Sequence, residues 1–345
     1  MISKNTMNNN SSLYITCLKK GRVHWVDVAK GILILLLLEH HFISAMRVLD
    51  IDDKPYGFVY CWNIIFSSFF MQGFFFLSGY CSNFLKPKKD FFIGVFTQLI
   101  VPFVCFEIII CLYWAKSFSL LDIYDFWLQS KGTSLWFLNA LIVSKVFIWC
   151  FIRCIKSELS LFLLSLLILV GAIALNQYRV VGNFLFIKNA LGSIFFVAVG
   201  YICKKDSILK KFRILGGGFP YILLLLLLFD KPIPSFTAWI GVSLCKLPVF
   251  LITSLSGTMA LINVCKMIQK NEILEFFGKN TLIVYCSHFI PLTLILSFCV
   301  KVVDPISLTE RISIIIFTYL MEIFVMVVLI ELFKFKPFKW LLGKF

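Results

Sequence analysis

Apolar runs of about twenty residues recur along the chain, and each is long enough to cross the ~30 Å hydrocarbon core of a bilayer as a helix rising 1.5 Å per residue. That recurrence constrains the fold more than any motif does. The runs predict helices over residues 23–45, 62–84, 91–114, 134–152, 159–176, 188–203, 214–229, 246–267, 280–299 and 311–333. Composition agrees: 60% of the 345 residues are hydrophobic and 15% are charged, with a mean hydropathy of +0.93. A soluble domain is about half apolar and a quarter charged. The expected class is therefore an all-α, polytopic integral membrane bundle of about ten spans.

Loop charge sets the orientation. With the N-terminus inside, Lys and Arg gather on alternate connections: KPKK at 86–89, Arg153 and Lys156, KKDSILKKFR at 204–213, and the tail from Lys334. This is the positive-inside pattern, and it predicts that both termini are cytoplasmic. The organisation expected is a cytoplasmic tail over 1–22, a membrane domain over 23–333 and a basic cytoplasmic tail over 334–345. The same bias accounts for the net charge of +15. Nucleic-acid binding is excluded because no soluble domain exists to hold it. The N-terminal run is too long, and lacks the small-residue site, for a cleavable signal peptide. Most of the 12 cysteines lie inside apolar runs, among them Cys105, Cys111 and Cys265, and no Cys-x-x-Cys pair occurs. Neither a disulfide framework nor a metal site is signalled. Paired halves with matching broken helices, the pointer to a secondary transporter, are not visible.

The first span departs from a plain anchor. RVHWVDVAKGILILLLLEHHFISAMR (22–47) carries Asp27, Lys30, Glu39, His40 and His41. A charge at a bilayer centre costs about 2.5–3.5 kcal/mol on insertion scales. At ~100° per residue, Lys30 and His41 return to within about 20° of each other, roughly 16 Å apart along the axis, with Asp27 within about 60° of that face. This polar stripe is expected to face protein or water. Of the remaining intramembrane ionisable residues, Lys145 is expected to pair with a carboxylate such as Glu107 or Glu322, while Lys246 and Glu331 snorkel from helix ends. A neutral imidazole titrating near ambient pH suits proton removal from a hydroxyl, which makes His41 the leading candidate base.

Three further motifs follow: QGFFFLSGY (72–80), SLWFLNAL (134–141) and GKNTLIVYCSHF (278–289). Small residues at Ser78-Gly79 permit close approach, Trp136 suits an interface anchor, and Asn280 or Thr281 suits a helix cap ahead of His288.

The order Asp27, Lys30-Gly31, eleven steps to His41, then FFFLSGY, LWFL and NTLIVYCSHF resembles acyltransferase family 3, the integral membrane O-acyltransferases. It is most similar to the branch that acetylates sugars of surface polysaccharides. The resemblance covers nearly the whole chain. It implies that His41 is the essential histidine and Lys30 its basic companion, with Asp27 and His288 in the catalytic group. Ser78, Trp136 and His288 match family motifs. The basic inner loops 86–89 and 204–213 are expected to attract the donor's phosphates, so that Ser78, Lys88 and Lys89 are the donor-side candidates and Trp136 and Asn139 the acceptor-side ones. Two positions depart from the family pattern. Glu39-His40 stands where a small residue usually precedes the histidine, so His40 and His41 are both candidates. The third helix reads KKDFFIGVFTQLIVP (88–102), with Thr97-Gln98 near Pro102 where arginines are usual.

The function implied is transfer of acetyl from cytoplasmic acetyl-CoA to a sugar hydroxyl of a cell-surface polysaccharide or its lipid-linked precursor. The place implied is the bacterial cytoplasmic membrane, with membrane lipid, the glycan acceptor and polysaccharide-assembly proteins as partners. A proton-coupled transporter or flippase using the buried Asp, Lys, Glu and His is the alternative, and a non-catalytic scaffold the third.

Overall fold

A computed structural model describes residues 23–46, 65–114, 135–178, 186–204, 218, 221–222, 242–303 and 307–343. The predicted tail 1–22 and most of the span at 214–229 lie outside them. The described residues are helical, with no strand among them. In chain order the helices are α1 (His24–Met46), α2 (Phe70–Cys81), α3 (Lys88–Val95) and α4 (Val101–Trp114), the last two joined by a π-helical turn at Phe96–Ile100. Then come α5 (Trp136–Cys154), α6 (Glu158–Gln177), α7 (Ile187–Ile202), α8 (Leu247–Ile268), α9 (Glu272–Lys279), α10 (Thr281–Ser287), α11 (Phe289–Val303), α12 (Leu308–Leu332) and α13 (Lys336–Lys339).

Five stretches are long and apolar enough to cross a membrane: Lys88–Tyr113, Trp136–Cys154, Glu158–Gln177, Leu244–Ile268 and Thr309–Leu332. A sixth is reached if the bent pair α10–α11 is one span. The protein is thus an all-helical membrane protein.

Local chemistry explains the ends and breaks. Ser307 opens α12 with a capping box: its hydroxyl accepts from Glu310 N–H, and the Glu310 carboxylate accepts from Ser307 N–H. Asn271 caps α9 through Leu274 N–H at 2.9 Å. The expected helix over 280–299 is in fact broken, bending by 48° between α10 and α11. Pro291 lies four residues beyond Ser287, lacks the N–H that would bond the Ser287 carbonyl, and crowds it with its ring. His288 therefore sits at the bend.

Pro102 acts similarly on the third span, which begins at Lys88 rather than at residue 91. Val101 N–H bonds Phe96 O in π register. In that register Thr97 O would take the N–H of residue 102, which is a proline and has none.

Glycines set the closest helix crossings. A Cβ on Gly31 would collide with the Leu274 carbonyl, and one on Gly278 with the Asp27 carbonyl, so α1 and α9 meet backbone to backbone. The pair Gly79 and Gly200 does the same for α2 and α7, against the Val197 and Phe76 carbonyls. Such small-residue contacts are how helices associate where apolar burial gives little drive. Phe75, Phe76, Phe195, Phe196 and Phe250 are fully buried around these crossings.

The described end of the chain packs on the bundle: the turn Trp340–Leu342 lies against α4, and Gly343 (φ +64°) seats against the Thr97 carbonyl. A side chain at 343 would collide with that carbonyl, and the positive φ independently favours glycine.

Candidate active site

Two polar features hang on α1, one at each end of the expected stripe. The first is a cavity of about 630 Å3 near its start. Lys30 and Ile34 of α1, Ser78 of α2, Lys145 of α5, and Thr281 and Tyr285 of α10 line it. The turn 82–87 adds Ser82, Asn83 and Lys86; the π-helical turn adds Thr97 and Gln98; α9 adds Lys279; and the described end of the chain adds Leu342 and Gly343. Asp90 is the carboxylate in the lining.

Four lysines thus face one space. Lys279 is paired with Glu275 at 2.7 Å, and Glu275 also meets His24 Nδ1 at 2.8 Å. The Lys279 ammonium and the His24 imidazole hold the Glu275 carboxyl below the usual carboxylate range. Lys30, Lys86 and Lys145 differ: among the described residues none of them joins an ion pair, and Lys30 and Lys86 both lie within electrostatic reach of Lys145. The expected pairing of Lys145 with Glu107 or Glu322 is not made. Lys145 faces the cavity, while both carboxylates are buried elsewhere with no hydrogen-bond partner for their oxygens. Three lysines that join no ion pair among the described residues thus share one lining with a single carboxylate, Asp90, and the balance of charge favours an anion there.

The second feature is a histidine pair. The His41 and His288 rings are 4.8 Å apart between centroids, with Phe289 edge-on to both at 6.4 Å. His288 is fully buried. Its Nδ1 lies 2.8 Å from the Tyr285 carbonyl, which can only accept, so a neutral His288 carries its proton on Nδ1. Its Nε2, buried and without a partner, is left as a lone-pair acceptor. His40 meets His41 edge-on at 5.5 Å and packs on Phe70 at 5.3 Å, off the His288 contact. The geometry brings His41, not His40, to His288.

Tyr285 connects the two features. It lines the cavity, its ring is 6.1 Å from His288, and its hydroxyl accepts from Phe137 N–H at 3.1 Å. Phe137 belongs to the LWFL motif, whose Phe137 and Leu138 reach the cavity wall.

The remaining expectations fall as follows. Lys30 and Ser78 line the cavity. Lys88 and Lys89 are exposed in the first turn of α3 and do not; the neighbouring Lys86 does, because the turn before α3 carries it inward. Asp27 is buried at the α1–α9 crossing, outside the cavity lining. Trp136 is buried against Phe75 and Phe186 rather than set at an interface, and neither it nor the half-buried Asn139 reaches the cavity. Lys145, Lys279 and Tyr285 were missed as site residues, and Lys86 was included only as part of the basic loop 86–89. The available signal was Lys145, a lysine inside an apolar run.

A search of curated proteins and a search of solved structures each return no match. Among protein families, the one described as an acyltransferase domain matches residues 23–331, almost the whole described chain. With its polar stripe on α1 and its helical membrane fold, the chain belongs to acyltransferase family 3.

Proposed function

We propose that this membrane acyltransferase moves an acetyl group from acetyl-CoA to a sugar hydroxyl of a cell-surface polysaccharide or its lipid-linked precursor, in the bacterial cytoplasmic membrane. The observation that carries the reading is the set of Lys30, Lys86 and Lys145, none in an ion pair among the described residues, in one cavity that α1 lines through Lys30, while α1 also carries His41, the ring partner of His288. In this reading about ten spans place both termini in the cytoplasm. The cavity then opens where acetyl-CoA is made, since the basic turn 82–87 is cytoplasmic by the positive-inside rule.

The CoA phosphates meet the lysines, and the long thioester arm runs toward Tyr285 and the histidines. Lys30 and His41 are separated by roughly 16 Å of helix, a gap that an extended arm bridges and a compact donor does not. His41 takes the proton of the acceptor hydroxyl as its oxygen attacks the thioester carbonyl. A C–O bond forms, the C–S bond breaks, and the CoA thiolate leaves and is protonated. His288 Nε2, a neutral base in ring contact, is placed to share the proton and to hold the His41 ring. The acceptor enters from the opposite side of the membrane.

The test is proton NMR of purified surface polysaccharide from cells carrying wild type, His41→Gln, His40→Gln or no protein, at matched membrane levels. Acetyl signals lost with the deletion and with His41→Gln, but kept with His40→Gln, support the reading. An acetyl signal unchanged on deletion sinks it. The buried carboxylates Glu107 and Glu322 are what a proton-coupled transporter would use. Substrate-driven proton uptake by purified protein, without acetyl-CoA consumption, would favour that alternative.

A further inference from the structure

The turn between α2 and α3 is held by two cations that do not face the cavity. Arg153, at the end of α5, donates from Nη1 to Phe84 O at 3.2 Å and to Trp149 O at 3.0 Å, and from Nη2 to Lys86 O at 3.0 Å. Its guanidinium lies 3.5 Å from the centroid of the Trp149 ring. From the turn after α7, Lys204 Nζ donates to Ser82 O at 3.2 Å. Three carbonyls of one short exposed turn are therefore taken by two cations from two other segments. Water would satisfy such carbonyls, and the fully buried Phe84 already anchors the turn. What the cations add is orientation. They fix the peptide planes either side of exposed Leu85, and so fix the backbone from which Lys86 reaches the cavity.

We propose that Arg153 is a positioning residue for the anion-binding cavity: it sets the turn 82–87 so that Lys86 faces the donor, without touching the donor itself. The inference rests on the reading of the cavity as the acetyl-CoA site. A lysine side chain carries large rotamer freedom, so its contribution to binding depends on how firmly its backbone is held. The requirement is geometric rather than a matter of charge. A planar guanidinium fork reaches Phe84 O and Lys86 O together, and a single ammonium does not.

The test compares full-length wild type with Arg153→Lys, Arg153→Gln and Lys204→Met, using Lys156→Gln as the control for charge loss on the same connection. Initial rates of radiolabelled acetyl transfer from acetyl-CoA to endogenous glycan are measured in inverted membrane vesicles. Hydrogen exchange over residues 79–87 is measured on ligand-free protein. Arg153→Lys and Arg153→Gln are both expected to raise the KM for acetyl-CoA about ten-fold, equivalent to ~1.4 kcal/mol, with kcat within about two-fold. Lys204→Met, which removes one bond at the far end of the turn, is expected to raise KM about three-fold, and Lys156→Gln to match wild type. Exchange should quicken at Leu85, whose amide is bonded within the turn to Asn83 Oδ1, and not across the bundle. Arg153→Lys behaving as wild type would overturn the proposal, because charge alone would then suffice. So would a loss of kcat at unchanged KM, or exchange quickened throughout the protein. If wild type transfers nothing from acetyl-CoA, the donor reading fails; local exchange at the turn still decides, by itself, whether Arg153 sets it.

Discussion

Substituting alanine at Gly278 tests whether the α1–α9 crossing holds the cavity in shape. The added Cβ would fall within the Asp27 carbonyl and only 3.0 Å from Gly31 N, all of it backbone that cannot rotate away. The two helices must separate, and overpacking of this kind costs about 1–3 kcal/mol. Gly171, inside α6, supplies the internal control, because a Cβ there meets nothing within 4 Å. Alanine at that position should stabilise by up to ~1 kcal/mol through helix propensity. The same chemical change is thus expected to act with opposite sign at two helical glycines, with a gap of about 1–4 kcal/mol. Apparent Tm, read by intrinsic Trp fluorescence in one detergent at one scan rate, should differ between the two variants by several degrees. Gly31→Ala should resemble Gly278→Ala. The double variant should cost less than the sum, because one separation accommodates both methyl groups. A Tm for Gly278→Ala equal to or above that of Gly171→Ala would refute the reasoning, and additive losses would refute the claim that both glycines relieve one crossing.

Further outcomes follow from the site. Replacing His41 by Gln should lower acetyl transfer by about 10²–10⁴-fold at normal membrane levels, the range for a lost general base, and His288→Gln should lower it less; radiolabelled transfer in vesicles measures both. Lys145→Met should raise the KM for acetyl-CoA and flatten its dependence on ionic strength, since one of three unpaired charges is removed. Glu275→Gln should lower apparent Tm at neutral pH by losing the contacts to Lys279 and His24. Because the folded carboxyl titrates below its ordinary value of 4.5, that contribution is complete above 4.5 and disappears as the pH falls through the lowered value, which Tm measured on both proteins from pH 7 downward will show.

Much of the fold was readable because hydrophobic run length is a strong signal, and α1, α5, α6 and α12 begin and end within a few residues of the runs that predicted them. The breaks were less readable, although their causes stand in the sequence. Pro291 and Pro102 both lie inside apolar runs, where hydropathy passes over them and only the missing N–H reveals the bend. α9 was folded into a loop because eight residues with four charges or amides among their neighbours present no span, yet its Gly278 decides how closely it packs on α1. For the site, periodicity relates Lys30 and His41, because both lie on the one helix α1. The rest of the cavity comes from segments far apart in the chain, and no local pattern relates Lys86, Lys145 and Lys279. Loop charge marks the basic stretch 86–89 as a place for the donor's phosphates but does not say which lysine lines the cavity: Lys86 does, while Lys88 and Lys89, equally exposed, do not.

The bend at His288 is what joins these parts into one device. Backbone that leaves the helical pattern at membrane depth is tolerated only where protein or a cavity covers it, and here α1 and α12 provide that cover. Ser287 Oγ, which donates to Ile283 O at 2.7 Å, lies 3.8 Å from Met326 Sδ of α12, and Tyr319 packs on Phe42 one residue beyond His41. With the Tyr285 carbonyl fixing its Nδ1 proton, His288 keeps one orientation, and its free Nε2 stands beside His41. An unpartnered nitrogen in a buried setting is costly, by about 1–3 kcal/mol when a donor or acceptor is left unsatisfied. Held by its other nitrogen, His288 cannot shed that cost by turning, and in the proposed transfer the lone pair beside His41 would share the proton.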